Sequence, residues 1–209
     1  VSLAILAFSP APILFSPAMP LDVLALLHKT GALLQGHFRL SSGLHSPTYV
    51  QCALLLEAPR NARALGEALA SKVKPMRPQR IVAPALGGLV IGLTVAEALD
   101  KPMIFTERKD GEMALRRGFK VREGERVVIV EDVVTTGKST REAAEVVKKY
   151  GGIVYGFASI LNRSGKKNPF DATYESLLEL SLETYPPEEC PLCKAGVLLD
   201  APGSRFAGK

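Results

Sequence analysis

The chain has 209 residues, 47% of them hydrophobic and 22% charged. That is long enough for one well-buried α/β domain and too short for two of ordinary size, and the composition excludes a disordered chain. The formal charge of +5 is modest and its cations are spread along the sequence, which suits a protein that holds an anionic small molecule better than one that binds nucleic acid.

Residues Val1 to Ala18 are apolar and uncharged, and include Pro10, Pro12 and Pro17. They lack the basic n-region and unbroken apolar stretch of about 7–15 residues that a secretory signal needs, and fall short of the ~20 residues of a membrane span. The reading is an irregular extension over 1–18, or a translation start placed ahead of Met19, on a cytoplasmic protein. Leu21, Leu24 and Leu27 recur at helical spacing up to a stop at Gly31, predicting a helix over 21–30. Residues 35–51, punctuated by Gly36, Gly43 and Pro47, read as short strands and turns. Pro59 to Lys74 carries Ala62, Leu65, Leu69 and Val73 on one helical face.

A strand over Arg80–Pro84 runs into Gly87-Gly88 and a helix over 89–99, and a further strand spans 102–105. The polar stretch 106–121, with Gly111 and Gly118, is expected to be a long exposed loop. Val127, Val128, Ile129 and Val130 form an unbroken β-branched run, the mark of a central strand buried on both faces. A helix over 138–150 follows, with Ser139 and Glu142 in the spacing of a capping box, and then a strand over 152–161. Strands alternating with helices imply an α/β fold, a parallel twisted sheet flanked by helices, and such sheets bind ligands at the carboxyl ends of their strands.

The three cysteines make an odd set. Cys52 reads as a small buried residue. Cys190 and Cys193 form C-P-L-C, but a structural zinc site needs about four ligands, and neither a second Cys-x-x-Cys nor a His pair at ligand spacing supplies the others. A tight turn with two inert thiols is therefore expected, with an inter-subunit zinc site or a redox pair as the alternatives. His37 and His45 read as packing or surface residues, and no side chain is assigned as a metal ligand.

The most informative stretch is Glu131-Asp132-Val133-Val134-Thr135-Thr136-Gly137-Lys138-Ser139-Thr140, which leaves the central strand and enters a helix. Gly137 permits close backbone approach, the helix N-terminus offers free N–H groups, and Thr135, Thr136 and Ser139 add hydroxyl donors, a socket for a phosphate monoester. Gly137-Lys138-Ser139 is also the ending of a Walker A loop, but that motif needs glycine where Asp132 stands. Two carboxylates would repel a triphosphate and suit the vicinal hydroxyls of a ribose.

This stretch resembles the fingerprint of type I phosphoribosyltransferases. The resemblance implies that Glu131 and Asp132 hold the ribose hydroxyls and favour positive charge at the sugar, and that Val133 to Ser139 bind the 5-phosphate of phosphoribosyl pyrophosphate (PRPP). Upstream, Gly36-His37-Phe38-Arg39-Leu40-Ser41-Ser42-Gly43-Leu44-His45-Ser46-Pro47-Thr48-Tyr49 is a turn-rich cap that resembles the N-terminal hood of orotate phosphoribosyltransferases. Within that family, Arg163 in Ile160-Leu161-Asn162-Arg163-Ser164-Gly165 is implied to read the orotate carboxylate, a task suited to a guanidinium fork, with Thr135 also near the base. Arg108 and Lys109 are implied to cover the departing pyrophosphate, on a loop that reaches the neighbouring subunit of a homodimer, with Mg²⁺ as cofactor.

The implied layout is a single domain over 19–209, with a hood from about 19–55 and a core from about 56–185. Three features depart from the family: many members carry lysine where Ser41 stands, a Tyr-Lys pair where this chain has Leu86-Gly87, and a longer loop with a second lysine and a histidine where this chain offers Lys109, Arg116 and Arg117. A phosphoribosyltransferase for another base, or a non-catalytic PRPP sensor, stands as the alternative.

Overall fold

In the computed structural model, residues 21–40 and 42–202 are described; the readings made on residues 1–18 and on Ser41 lie outside them. The chain opens with helix α1 (Val23–Lys29), capped by the Asp22 carboxylate, which accepts from the Ala25 N–H at 2.9 Å. Strands β1 (Leu33–Arg39) and β2 (His45–Val50) pair antiparallel as a separate two-stranded sheet. Helices α2 (Cys52–Leu56) and α3 (Pro59–Val73) lead into the main sheet.

That sheet is built from β3 (Arg80–Pro84), α4 (Gly88–Leu99), β4 (Met103–Lys109), β5 (Glu112–Leu115), β6 (Arg126–Val134), α5 (Lys138–Lys149), β7 (Ile153–Asn162) and β8 (Thr173–Glu179), and a short helix α6 (Pro191–Lys194) follows. Its six strands run in the order β5-β4-β3-β6-β7-β8. All neighbours are parallel except β4 and β5. From β3 the chain moves outward through α4 to β4, and from β6 it moves the opposite way through α5 to β7. The order therefore reverses between β3 and β6, and the carboxyl ends of those two strands flank the crevice where such sheets take their ligands.

The run Val127–Val130 is buried on both faces, as its unbroken β-branched pattern requires. Val128 and Val130 join Ile81, Leu65, Leu69, Ile91 and Val95 in one apolar cluster, while Val127 and Ile129 join Val82, Ala143, Val147 and Phe157 in the other. Alternation along each strand divides these residues between the helices on either side. Among the described residues, no helix is long and apolar enough to cross a membrane.

Two local expectations are corrected. The stretch 106–121 is not a simple loop. β4 continues to Lys109 and returns as β5 in an antiparallel hairpin pairing Lys109 with Glu112 and Thr106 with Leu115. Its two-residue turn is Asp110-Gly111, both with positive φ (52° and 86°), which suits a right-handed strand twist. The capping box at Ser139 and Glu142 does not form. Gly137 is the N-cap of α5 in the left-handed region (φ 70°), with no side chain capping the helix, and Glu142 instead pairs with Arg108 and Lys138.

Candidate active site

Glu131 and Asp132 lie near the carboxyl end of β6, beside the turn that joins β3 to α4. Glu131 is 7% exposed and Asp132 half-buried. The Asp132 N–H donates to the Glu131 carboxylate at 3.3 Å, and the Val133 N–H donates to the Asp132 carboxylate at 2.7 Å. Burial pushes the Glu131 carboxyl well above the usual carboxylate range, and the neighbouring Asp132 charge pushes it further. Burial raises Asp132 as well. Neither acid forms an ion pair with a side chain among the described residues, so two inward carboxylates are held together without a counter-cation.

The facing turn is shaped to admit them. A Cβ added to Gly87 would lie 2.7 Å from the Asp132 carboxylate, and one on Gly88 would lie 2.9 Å from the Val130 carbonyl oxygen. The Ala85–Leu86 peptide in this turn is cis. Immediately after β6, Thr135 is half-buried, Thr136 exposed and Gly137 buried, and Lys138 and Ser139 open α5. The Lys138 N–H donates to the Thr136 hydroxyl at 3.4 Å, and with no cap from Gly137 the N–H groups of Ser139 and Thr140 stay directed at this loop, where an anion would meet them. The loop is braced from behind by Arg141, which donates to the Thr136 and Pro169 carbonyls and lies over the Phe170 ring.

Arg163 stands at the end of β7, its N–H donating to the Val134 carbonyl at 2.8 Å. The Arg163 Nε is buried and has no hydrogen-bond partner. Burial lowers the guanidinium pKa, while nearby Tyr49 and Cys52 favour its charged form. Tyr49 of the small sheet lies within electrostatic reach of both Arg163 and Asp132, so the cap reaches the same edge as the acids and the phosphate loop. Cys52 is 2% exposed, the small buried residue that was expected, and burial pushes its thiol well up.

The basic hairpin is less uniform than its sequence. Arg108 is bonded to the Glu142 carboxylate and donates to the Gly111 carbonyl at 2.8 Å. Arg117 makes a two-pronged contact with Glu107 at 2.9 and 3.0 Å, with Arg116 3.7 Å from the same carboxylate. Lys109 stands exposed beside the turn. A cleft of about 580 Å³ lined by Lys72, Met76, Arg77, Arg126 and Tyr155 lies at the amino ends of the strands, away from all of these groups.

One grouping went unseen in the sequence. His37 on β1, His45 on β2, and Cys190 and Cys193 around α6 converge so that one ligand atom of each lies within 4.8 Å of the others. The two thiols are therefore not isolated in a turn, and the pair of histidines that spacing alone did not reveal is supplied by the cap. The signal was there only in combination, two histidines eight residues apart and a distant Cys-x-x-Cys.

A doubly wound sheet that sets an acidic pair and a Thr-Thr-Gly loop at its point of reversal is the arrangement expected of a phosphoribosyltransferase, and the model of the phosphoribosyl transferase domain matches residues 54–186. The orotate phosphoribosyltransferase of Thermotoga maritima is 51% identical over 180 residues, 86% of this chain and 96% of that one. That of Carboxydothermus hydrogenoformans is 46% identical over 187 residues, 88% of this chain and 98% of its own. The crystal structure of orotate phosphoribosyltransferase from Aeropyrum pernix is similar with a TM-score of 0.62 at 27% identity, covering 76% of this chain and 94% of that one. The chain belongs to the orotate phosphoribosyltransferase family.

Proposed function

We propose that the protein transfers the phosphoribosyl group of PRPP to orotate, giving orotidine 5′-monophosphate and pyrophosphate in pyrimidine biosynthesis. The observation that carries the substrate choice is the buried Arg163 Nε without a partner, beside the phosphate loop. A buried unsatisfied donor costs about 1–3 kcal/mol, and a planar carboxylate repays that cost with paired charge-assisted hydrogen bonds. Orotate carries such a group; adenine, hypoxanthine, xanthine and uracil do not.

In this reading the orotate ring nitrogen attacks C1′ of the ribose, the bond from C1′ to the pyrophosphate oxygen breaks, and the proton of the ring nitrogen is released. Positive charge builds at the sugar as the leaving group departs. Glu131 and Asp132 accept from the ribose hydroxyls and place their negative charge where it favours that state. Thr135, Thr136, Gly137, Lys138 and Ser139, with the backbone of Val133 and Val134, hold the 5-phosphate, and Thr135 and Tyr49 border the base. Lys109 covers the pyrophosphate, and Arg108 does so by exchanging Glu142 for the leaving group.

The Glu131 and Asp132 carboxylates, one buried and one half-buried and neither ion-paired to a side chain among the described residues, are hard oxygen donors of the kind that Mg²⁺ shares with phosphate oxygens, so the residues present fit that cofactor. When bound, Mg²⁺ would neutralise charge on the pyrophosphate. The reading also includes a cytoplasmic homodimer in which the hairpin serves the neighbouring subunit.

The test is turnover with PRPP and Mg²⁺ on a panel of orotate, uracil, adenine, hypoxanthine and xanthine, run for the wild type and Arg163→Ala. Product from orotate alone is expected, with the variant raising KM for orotate by at least ten-fold, about 1.4 kcal/mol, and leaving KM for PRPP within two-fold or so. Product from another base would move the protein to that substrate, and PRPP binding without turnover would make it a sensor. Equal changes in both constants would remove Arg163 from orotate recognition.

A further inference from the structure

Away from the active-site crevice, the cap and the C-terminal segment are stitched together by backbone. The His45 N–H donates to the Tyr185 carbonyl at 2.9 Å and receives the reciprocal bond at 2.8 Å. The Asp200 N–H donates to the His37 carbonyl at 2.8 Å, and the Arg39 N–H to the Asp200 carbonyl at 2.8 Å. Between these seams lie the side chains of His37, His45, Cys190 and Cys193, the first three buried.

The geometry of their ligand atoms is specific. His37 Nε2 is 3.0 Å from His45 Nδ1, 3.5 Å from Cys190 Sγ and 3.6 Å from Cys193 Sγ, and His45 Nδ1 is 3.3 Å from Cys193 Sγ. Ligands held at ~2.0–2.1 Å (nitrogen) and ~2.3 Å (sulfur) around one tetrahedral ion stand roughly 3.3–3.8 Å from one another. Four of the six separations are therefore close to the edge lengths of such a tetrahedron, and all six lie within 4.8 Å.

The protonation of His37 is fixed by its other nitrogen. Nδ1 lies 2.8 Å from the Val197 carbonyl oxygen; a carbonyl only accepts, so Nδ1 carries the hydrogen and the neutral ring presents its Nε2 lone pair to the cluster. Three further polar atoms converge on that single lone pair. A hydrogen bond could use one of them, whereas a metal ion uses the lone pair and all three. Orientation of a ligating imidazole by a backbone carbonyl is the usual outer support of a metal site.

We propose that His37, His45, Cys190 and Cys193 form a structural zinc site that clamps the C-terminal segment onto the cap. Two thiolates and two imidazoles in tetrahedral array are the donor set that selects zinc over harder divalent ions. All four positions are filled by protein, so the site is closed and its role is to hold structure. The proposal stands independently of the substrate assignment, because none of the four residues belongs to the acidic pair, the phosphate loop or Arg163.

The test begins with untagged full-length protein purified in metal-free buffers. Elemental analysis should find about one zinc per chain, and replacement by Co²⁺ should give the visible bands of a tetrahedral ion together with thiolate-to-cobalt charge transfer. Cys190→Ser combined with Cys193→Ser should purify without zinc. Stripping the wild type with a chelator should speed tryptic cleavage after Lys194 at least ten-fold, and added Zn²⁺ should restore protection. A wild-type chain that carries no zinc and gives no tetrahedral cobalt spectrum overturns the proposal, as does a Cys190–Cys193 disulfide in the freshly purified protein or zinc retained by the double variant. If the double variant fails to fold, the cobalt spectrum and the cleavage rate of the wild type decide alone.

Discussion

Glu131 occupies a position where a carboxylate costs stability until a ligand arrives. Burial and the adjacent Asp132 raise its pKa in the folded state, whereas in the unfolded chain it titrates near 4.3 or so. A carboxyl whose folded pKa is raised destabilises the fold above that pKa, and the cost vanishes as falling pH protonates it. Glu131→Gln removes the charge at nearly constant shape, so the free protein should become more stable by about 1 kcal/mol or more, while turnover falls because the ribose loses an anionic partner. Thermal melts of both proteins across pH should show the gap widest at mildly alkaline pH and closing toward about pH 5. A gap that stays constant with pH would mean that relief of buried charge is not its source. In the proposed reading Arg163 follows the same logic with the opposite sign of charge, a half-buried group whose buried Nε finds its partner in the substrate.

The hairpin β4–β5 shows how charge can hide an element. Glu107, Arg108, Lys109 and Glu112 read as a solvated loop, yet β5 is an edge strand, where charged side chains guard against pairing with other chains. The usable signal was Asp110-Gly111, the dipeptide of a two-residue hairpin turn. Gly111→Val would place a β-branched residue at φ 86°, at a cost of about 1–3 kcal/mol. Lys109 would lose its position, so KM for PRPP should rise several-fold and the melting temperature should fall by roughly 2–12 °C, while Gly111→Asn, which tolerates positive φ, should stay near wild type. Steady-state kinetics on the pair checks this, and a valine variant that matches the asparagine variant would separate the turn from catalysis.

The helices and central strands were legible because their apolar periods are local: β3 was placed residue for residue, and β6 fell short only where its pattern turned acidic. The capping box misled because Gly137 takes the cap and keeps the first-turn N–H groups open to the loop, a demand of the site rather than of helix stability. The His and Cys cluster was illegible because its members are 153 residues apart at His37 and Cys190, and only the folded chain unites them.

At the scale of the whole molecule, the sheet gathers the acids, the loop over Thr135–Gly137, Arg163 and the Tyr49 side of the cap at one edge, and the hairpin extends past it. Lys109 lies three residues beyond Thr106, which pairs with Pro84, and so stands about 10 Å past the end of β3. β3 itself separates β4 from the acids on β6. In the proposed homodimer, a cation projected that far would serve the neighbouring site. On the outer side of α4, Val90 and Leu93 are exposed, and Leu86 is 79% exposed in the turn before it, an apolar stripe available to the proposed homodimer. If the two sites of a dimer exchange hairpins, Lys109→Ala and Asp132→Asn damage different halves of each site. Each variant alone should have little activity. Equimolar subunits, mixed and allowed to exchange, place both substitutions in one site of every hybrid and leave the other site intact, so about a quarter of wild-type activity should return. If the hairpin served its own chain, every site in the mixture would still carry one damaged half, and activity would stay at the mean of the two variants.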